Sequence, residues 1–209
     1  GYTFVFISGT EPEYLLKMIS SSLTEKHYLL PTTGTQCLIV EGDGSYQRTY
    51  KYSLENEEKS EIKNAFEKLI ETCNIKPFTS REDQLQDRDS QMALSAIGRN
   101  APLELKKQYD PKGTKRREWK TLLEKWVDPK KYEITVAGTT TIDVTRKGLD
   151  KGWGIKKFCN SYNIDLNSVL FFGDQMDPGG NDYPATKVVD YKTVKSPLET
   201  LQLLQESFP

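Results

Sequence analysis

The sequence predicts an α/β protein: a Rossmann-like core in three α/β/α layers with a mostly parallel sheet, interrupted by an inserted α+β unit. Two short segments, residues 2–7 and 169–172, are apolar, β-branched and aromatic without alternation, as is typical of strands buried on both faces. Each ends at a polar loop that contains glycine. The stretch between them changes character after residue 50 and mixes charged helices with alternating strands. We therefore expect a core in two parts, residues 1–50 and 147–209, and an inserted α+β domain at residues 51–146.

The first core part continues from its strand into the polar loop Ser8-Gly9-Thr10. Residues 11–23 then place apolar side chains at helical spacing, which predicts an amphipathic helix containing Leu15, Met18, Ile19 and Leu23. Short apolar runs after it predict strands, and a glycine-rich turn predicts a hairpin. These strands are expected at residues 28–31, 37–40 and 46–50, with the turn at residues 41–44.

The inserted domain is predicted to contain two helices and three strands. The helices, at residues 53–73 and 114–126, each have one apolar and one charged face. A polar, charge-mixed segment at residues 79–89 leads into an alternating strand, whose second face we expect to meet solvent. The strands are expected at residues 91–97, 132–137 and 140–144.

The second core part is predicted to resume the α/β pattern. Its helices are expected at residues 151–162 and 197–206, and its strands at residues 168–172 and 187–190. An insertion at a strand-end loop of such a core is the arrangement of an active site with a lid.

Composition argues against nucleic acid and membranes as partners. The formal net charge of −1 provides no general attraction to nucleic acid or to acidic membranes. No apolar run approaches the roughly 20 residues of a membrane-spanning helix. The three cysteines are widely separated and show neither metal-ligand spacing nor a disulfide framework, which fits a reducing compartment. We expect a cytoplasmic protein without a nucleic-acid or membrane partner.

Residues 173–182, here called the acidic loop, carry the densest group of candidate site residues. The loop follows an apolar strand and contains Asp174, Asp177 and Asp182. Ligands of open α/β sheets bind beyond the carboxyl ends of the strands, and carboxylates there suit magnesium. Asn181-Asp182 before Pro184 also has the pattern of a helix cap and first turn. The same residues are common in tight turns, so from this stretch alone a metal site and a plain turn both stand.

Four sets of segments, taken together, resemble the haloacid dehalogenase superfamily, and in particular its phosphomannomutase-like branch. The most specific match is Phe171-Phe172-Gly173-Asp174 with Pro178-Gly179-Gly180-Asn181-Asp182, which resembles the metal-binding motif. Phe4-Val5-Phe6-Ile7-Ser8-Gly9 resembles the second motif. Lys151, in Gly148-Leu149-Asp150-Lys151-Gly152, resembles the lysine that offsets charge around nucleophile and phosphate. Ser95-Ala96-Ile97-Gly98-Arg99 and Ala137-Gly138-Thr139-Thr140-Thr141-Ile142-Asp143-Val144 resemble the cap-domain segments that bind the sugar phosphate.

The resemblance implies a Mg²⁺-dependent phosphotransferase acting on a phosphorylated sugar through an aspartyl-phosphate. Ser8 and Gly9 would contact the transferring phosphoryl group, and Lys151 would offset its charge. Asp174, Asp177, Asn181 and Asp182 are implied as metal ligands or as their neighbours. In the inserted domain, Arg88, Arg99 and Lys106 match three positions that are arginine in the family, and Thr141 and Asp143 match positions that bind sugar hydroxyls.

One family motif is absent from residues 1–209, namely the Asp-x-Asp-Gly-Thr segment that ends the first strand and supplies the nucleophile. We expect the complete gene to encode it on an apolar strand before Gly1. The alternatives are a phosphatase, a phosphohexomutase that needs a bisphosphate activator, and a protein that binds phosphosugars without turnover.

Overall fold

The computed structural model describes residues 2–19, 22 and 24–208. The chain divides into two compact units: unit 1 comprises Gly1–Lys51 and Leu149–Pro209, and unit 2 comprises Tyr52–Gly148. Unit 2 is therefore an insertion in the sequence of unit 1.

Helices account for much of both units. In the described part of the chain they are α1 (Pro12–Ile19), α2 (Asn56–Thr72), α3 (Arg81–Gln84), α4 (Leu103–Tyr109), α5 (Thr114–Leu123), α6 (Lys151–Tyr162) and α7 (Pro197–Ser207). The longest, α2, has 17 residues and a charged outer face. Within residues 2–19, 22 and 24–208, no helix combines the length and apolar composition that crossing a membrane requires.

The strands form three sheets in the described residues. They are β1 (Val5–Ile7), β2 (His27–Leu30), β3 (Gln36–Val40), β4 (Tyr46–Lys51), β5 (Leu85–Asp87), β6 (Gln91–Ser95), β7 (Tyr132–Ala137), β8 (Thr141–Arg146), β9 (Leu170–Gly173) and β10 (Asp190–Thr193). In unit 1, β1 and β2 are parallel, and β3 and β4 extend that sheet in antiparallel fashion. The strands β9 and β10 form a separate parallel pair.

Helices cover both faces of the unit 1 sheet, as the alternating side chains of β2 and β3 show. Leu30 and Cys37 belong to a core with residues of α6. Their neighbours Leu29 and Leu38 belong to a second core with Leu15 of α1. Because successive strand residues point to opposite faces, α6 and α1 cover the two sides of the sheet. The predicted three-layer α/β/α core is confirmed.

Several boundaries in unit 1 differ from the sequence predictions. The first and ninth strands are only partly buried, and Phe6 is 38% exposed, so burial on both faces was wrong. Both are edge strands as well: among the described residues, no strand joins the second edge of β1 or of β9. Helix α1 ends at Ile19, and Leu23 lies outside the described residues. Residues 183–187 form a 3₁₀ helix, so the strand predicted at residues 187–190 begins only at Asp190.

Unit 2 is an antiparallel sheet of order β5-β6-β8-β7 with helices on one face. Its core joins alternate strand residues to the apolar faces of α2 and α5. The fully buried members include Ile62, Phe66 and Leu69 from α2 and Leu123 from α5. Hydrophobic burial of this stripe is what keeps the charged helices on the sheet.

Unit 2 also contains elements that the sequence did not reveal. The polar segment at residues 79–89 forms α3 and the edge strand β5, because pairing with β6 supplies backbone partners that local propensity does not favour. Helix α4 was not predicted. Both faces of β6 are buried, including Gln91 and Ser95, so the expected solvent-facing side was wrong.

We predict that Phe66→Ala lowers the free energy of unfolding by about 3–5 kcal/mol, since the side chain is fully buried in unit 2. Urea unfolding followed by tryptophan fluorescence measures this. Phe78→Ala is the matched control, because Phe78 is 61% exposed, and should change stability by less than about 1 kcal/mol. Equal losses in the two variants would contradict the assignment of Phe66 to the core.

Candidate active site

The amino end of α6 organises the candidate site of unit 1. Lys151, its first residue, is buried and forms an ion pair with Asp182 on the acidic loop. The next residue, Gly152, lies against the same region: a Cβ there would come within 2.6 Å of the Pro184 carbonyl oxygen. The absence of a side chain at Gly152 is thus what lets α6 approach Pro184, just after the acidic loop.

Asp182 ties Lys151 to the loop backbone. It is 2% exposed, and its Oδ2 accepts hydrogen bonds of 3.1 Å from the backbone N–H groups of Asp174 and Gln175. Gly173 makes room for this arrangement, since an added Cβ would lie 2.5 Å from Oδ2. Both carboxylate oxygens of Asp182 are therefore engaged. Asp182 occupies the N-cap position of the 3₁₀ helix at residues 183–187, with Pro184 in its first turn, as the pattern predicted, but its side chain makes no capping hydrogen bond.

The other acidic-loop candidates are differently placed. Asp174 and Asp177 are exposed. Asn181 has a buried Oδ1 without a hydrogen-bond partner, an arrangement that suits a cation or a donor from a ligand. In the described part of the chain, no group of three or more histidine, cysteine, aspartate or glutamate residues is arranged to hold a metal ion. The loop thus presents oxygen ligands of the kind magnesium prefers, but not a complete carboxylate cage.

Ser8 follows β1 at the predicted position. Its Oγ accepts a 3.1 Å hydrogen bond from the N–H of Thr10, so its own O–H remains able to donate. The backbone around it is fixed by a 3.1 Å bond from the Ser8 N–H to the Leu30 carbonyl. Gly9 follows Ser8 in the same loop after β1.

In unit 2, strand β8 directs two predicted residues to the face opposite the helices. Ile142 and Val144 belong to the helix-covered core, so Thr141 and Asp143 lie on the other face. Asp143 stands between Ala93 and Thr135 on the neighbouring strands. This polar face of the sheet is the candidate binding surface of unit 2.

Arg88 and Asp143 lie close together on this surface, and each keeps one buried polar atom without a hydrogen-bond partner. Arg88 Nη1 lies 3.6 Å from Asp143 Oδ1, and Nη2 donates a 2.5 Å hydrogen bond to Gln86 Oε1. Arg88 Nε and Asp143 Oδ1 are both buried without a hydrogen-bond partner. Burial raises the pKa of the Asp143 carboxyl to about 6, and the Arg88 guanidinium lowers it only in part.

Arg99 and Lys106 form a second basic position in unit 2. Lys106 Nζ donates to the Arg99 carbonyl oxygen, and the Arg99 N–H donates to the Asp83 carbonyl at 2.9 Å. Asp83 also receives hydrogen bonds from the backbone and side chain of Asn100, at 2.9 and 2.7 Å. Asp83 and Gln86, which hold the Arg99 backbone and the Arg88 side chain, were not among the residues predicted from the sequence. The Ser80-x-x-Asp83 spacing, a helix-cap pattern, was the available signal for Asp83.

Solved structures show that the fold of this chain is known from other proteins. An N-terminally truncated IMP-nucleotidase of Plasmodium falciparum aligns with 99% of this chain and 61% of its own, with a TM-score of 0.67 and 16% identity. A haloacid dehalogenase-like hydrolase of Bacteroides thetaiotaomicron aligns with 98% of this chain and 86% of its own, with a TM-score of 0.60 and 12% identity. The chain thus shares the fold of a haloacid dehalogenase-like hydrolase, as predicted.

Sequence comparison identifies the family within that class. The model of the eukaryotic phosphomannomutase family matches residues 6–209, and this chain belongs to that family. Phosphomannomutases of Spinacia oleracea and Saccharomyces cerevisiae are 29% and 30% identical over 129 and 131 residues. Each match covers 59% of this chain and 50% of the relative, so the chain spans about half the length of these relatives. The predicted resemblance to the phosphomannomutase-like branch is confirmed.

We predict that the Asp143 carboxyl titrates near pH 6 in ¹³C NMR, and that Arg88→Met moves its pKa higher by removing the charge that opposes the shift. An unfolded aspartate titrates near pH 3.9, so the contribution of Asp143 to stability is greatest below about pH 4 and is lost as pH rises through about 6. A wild-type pKa near 4 would show that Asp143 is well solvated, and a lower pKa in the variant would show that Arg88 does not stabilise the Asp143 carboxylate.

Proposed function

We propose that this chain is part of a Mg²⁺-dependent phosphotransferase that acts on a phosphorylated sugar through an aspartyl-phosphate. The observation that carries the proposal is the buried Lys151–Asp182 pair, held against the backbone beside Asp174. A buried ammonium at a glycine-rich strand-end loop suits an anionic substrate, and phosphoryl transfer asks mainly for positioning and charge neutralisation. Family membership supports the same chemistry.

In unit 1, we assign phosphoryl contacts to Ser8, Gly9 and Lys151. The Ser8 hydroxyl would donate to a phosphoryl oxygen with Gly9 beside it, and Lys151 would offset the negative charge that builds up during transfer. We assign Asp182 to holding Lys151, because both of its oxygens are already engaged. Asp174 and the unpartnered Asn181 Oδ1 would hold Mg²⁺, with Asp177 beside them. When bound, the ion neutralises phosphate charge and orients the transferring group.

The nucleophile is assigned to an aspartate outside residues 1–209, since the Asp-x-Asp-Gly-Thr motif is absent from them. In the described part of the chain, β1 and β9 each pair with a strand on one edge alone, so a strand that carries the motif would find backbone partners at the second edge of either. Its carboxylate oxygen would attack phosphorus as the bond from phosphorus to the sugar oxygen breaks, and the sugar would leave as an alcohol after gaining a proton. Water or a second sugar hydroxyl would then take the phosphoryl group and restore the carboxylate.

Unit 2 supports a phosphosugar as the substrate. The partnerless Arg88 Nε is a cationic donor for a phosphate oxygen, and the partnerless Asp143 Oδ1 is an acceptor for a sugar hydroxyl. Thr141 lies on the same face and adds a hydroxyl. Arg99 and Lys106 would bind phosphate, with Lys106 as a point charge and not a bidentate group. We assign unit 2 to substrate recognition, as a cap domain.

A phosphomutase is the second candidate, and membership in the phosphomannomutase family favours it over a simple phosphatase. A mutase returns the phosphoryl group to a sugar, so its turnover should depend on a sugar bisphosphate. A phosphatase would release inorganic phosphate without that activator.

We predict that Asp174→Asn in the full-length protein lowers turnover of an aryl phosphate by more than about a hundredfold, because loss of a charged Mg²⁺ ligand costs several kcal/mol. Steady-state kinetics across a Mg²⁺ series tests this. Asp190→Asn removes another exposed carboxylate of unit 1, at the start of β10, and should behave as wild type. Unchanged turnover in Asp174→Asn would contradict the assignment of Asp174 as a Mg²⁺ ligand.

We also predict that Arg99→Ala weakens use of phosphosugars roughly ten- to a hundredfold while sparing a small aryl phosphate, which needs unit 1 alone. A lost charge-assisted hydrogen bond is worth about 1.5–3 kcal/mol. The measurement is kcat/KM on both substrates, with Arg117→Ala, an exposed arginine of α5, as control. If both substrates suffer equally, Arg99 has a structural role.

A further inference from the structure

Residues 31–35, here called the threonine turn, adopt a backbone that their side chains disfavour. Thr32, Thr33 and Gly34 are consecutive left-handed residues, with φ angles of 48°, 61° and 88°. Glycine accepts this conformation, but a β-branched residue there is an outlier that costs on the order of 1–3 kcal/mol. Two such residues in succession persist only where surrounding contacts hold them.

One set of contacts joins the threonine turn to the Ser8 loop. The Thr33 N–H donates to the Ser8 carbonyl at 2.7 Å, and the Thr32 N–H donates to the Thr10 carbonyl at 2.9 Å. Inside the turn, the buried hydroxyls of Thr32 and Thr35 are hydrogen-bonded at 2.6 Å. The left-handed residues therefore point successive N–H groups at the backbone on either side of Gly9.

A second set joins the same turn to α6. Thr33 Oγ1 donates to the Thr32 carbonyl at 2.6 Å and lies 3.3 Å from the Leu149 carbonyl, two residues before Lys151. Gly34 packs directly on Gly154: a Cβ at Gly34 would lie 2.6 Å from the Gly154 Cα, and a Cβ at Gly154 would strike the Thr33 carbonyl oxygen. Neither glycine can carry a side chain without moving the helix.

From these contacts, we propose that the threonine turn is a positioning element that sets Lys151 relative to Ser8. The inference rests on the proposed function, in which both residues contact the phosphoryl group. Ser8 and Lys151 belong to separate segments of unit 1, and the turn contacts the backbone of both. Strain in the turn is retained because relaxing it would displace one of its two neighbours. Thr33 and Gly154 act through Ser8 and Lys151 and are positioning residues.

The test uses Thr33→Val, Thr33→Ser and Gly154→Ala in the full-length protein, assayed with p-nitrophenyl phosphate. Valine keeps the shape of threonine but removes the hydroxyl, and serine keeps the hydroxyl. We expect kcat to fall about ten- to a hundredfold in Thr33→Val and Gly154→Ala, the size of effect that follows from a misplacement of about 1 Å. KM for a phosphosugar should change little, and Thr33→Ser should restore most of kcat.

Thr200→Val is the matched control, because it removes a hydroxyl of the same unit that bonds only within α7, at 3.1 Å to the Ser196 carbonyl. A loss of thermal stability in Thr33→Val with wild-type kcat would overturn the positioning role. Gly154→Ala tests the same contact if Thr33→Val does not fold. A wild-type protein that neither hydrolyses p-nitrophenyl phosphate nor binds inorganic phosphate would refute the proposed function, and this inference with it.

Discussion

The ion pair between Lys151 and Asp182 is the constraint on which the candidate site depends. A buried ammonium is costly unless it is paired and hydrogen-bonded, and Asp182 meets that need while also accepting two backbone N–H groups. The pair thereby fixes the start of α6 against the acidic loop. Gly152 and Gly173 permit this approach, since a side chain at either position would clash with the loop or with the carboxylate. The lack of room for a side chain thus explains why both positions are glycine.

The buried charge pairs of unit 2 differ in how completely their hydrogen-bonding groups are satisfied. Arg116 and Asp110 in unit 2 are both almost fully buried and well provided with partners: the carboxylate accepts from the Arg116 side chain and from backbone N–H groups, and the guanidinium reaches the Gly138 carbonyl at 2.6 Å. Although burial opposes it, these bonds lower the pKa of Asp110. Arg88 and Asp143 instead keep a donor and an acceptor without partners, and burial dominates the pKa of Asp143. A ligand can complete only the second pair.

Strong local patterns accounted for the elements that the sequence placed correctly. Helix α6 was predicted with its observed bounds, and β7 likewise, because periodicity and flanking breakers marked both ends. The elements that were missed, α3, α4 and β5, lie in polar segments that tertiary pairing organises. Burial was misjudged at β1 and β6 for a related reason: how much of a strand is covered depends on its neighbours, which a single segment does not encode.

The sequence by itself determined the class of this protein, because the glycine and aspartate spacing of the acidic loop, with Ser8 and Lys151, is specific enough to indicate the family. The tertiary structure decided the roles within that set. In the structure Asp182 forms an ion pair with Lys151, Asp174 is exposed, and Arg88 lies beside Asp143. It also showed that Thr32 and Thr33 hold a strained turn against Ser8 and α6. Such assignments depend on distances between segments far apart in the chain, and motif spacing carries no information about those distances.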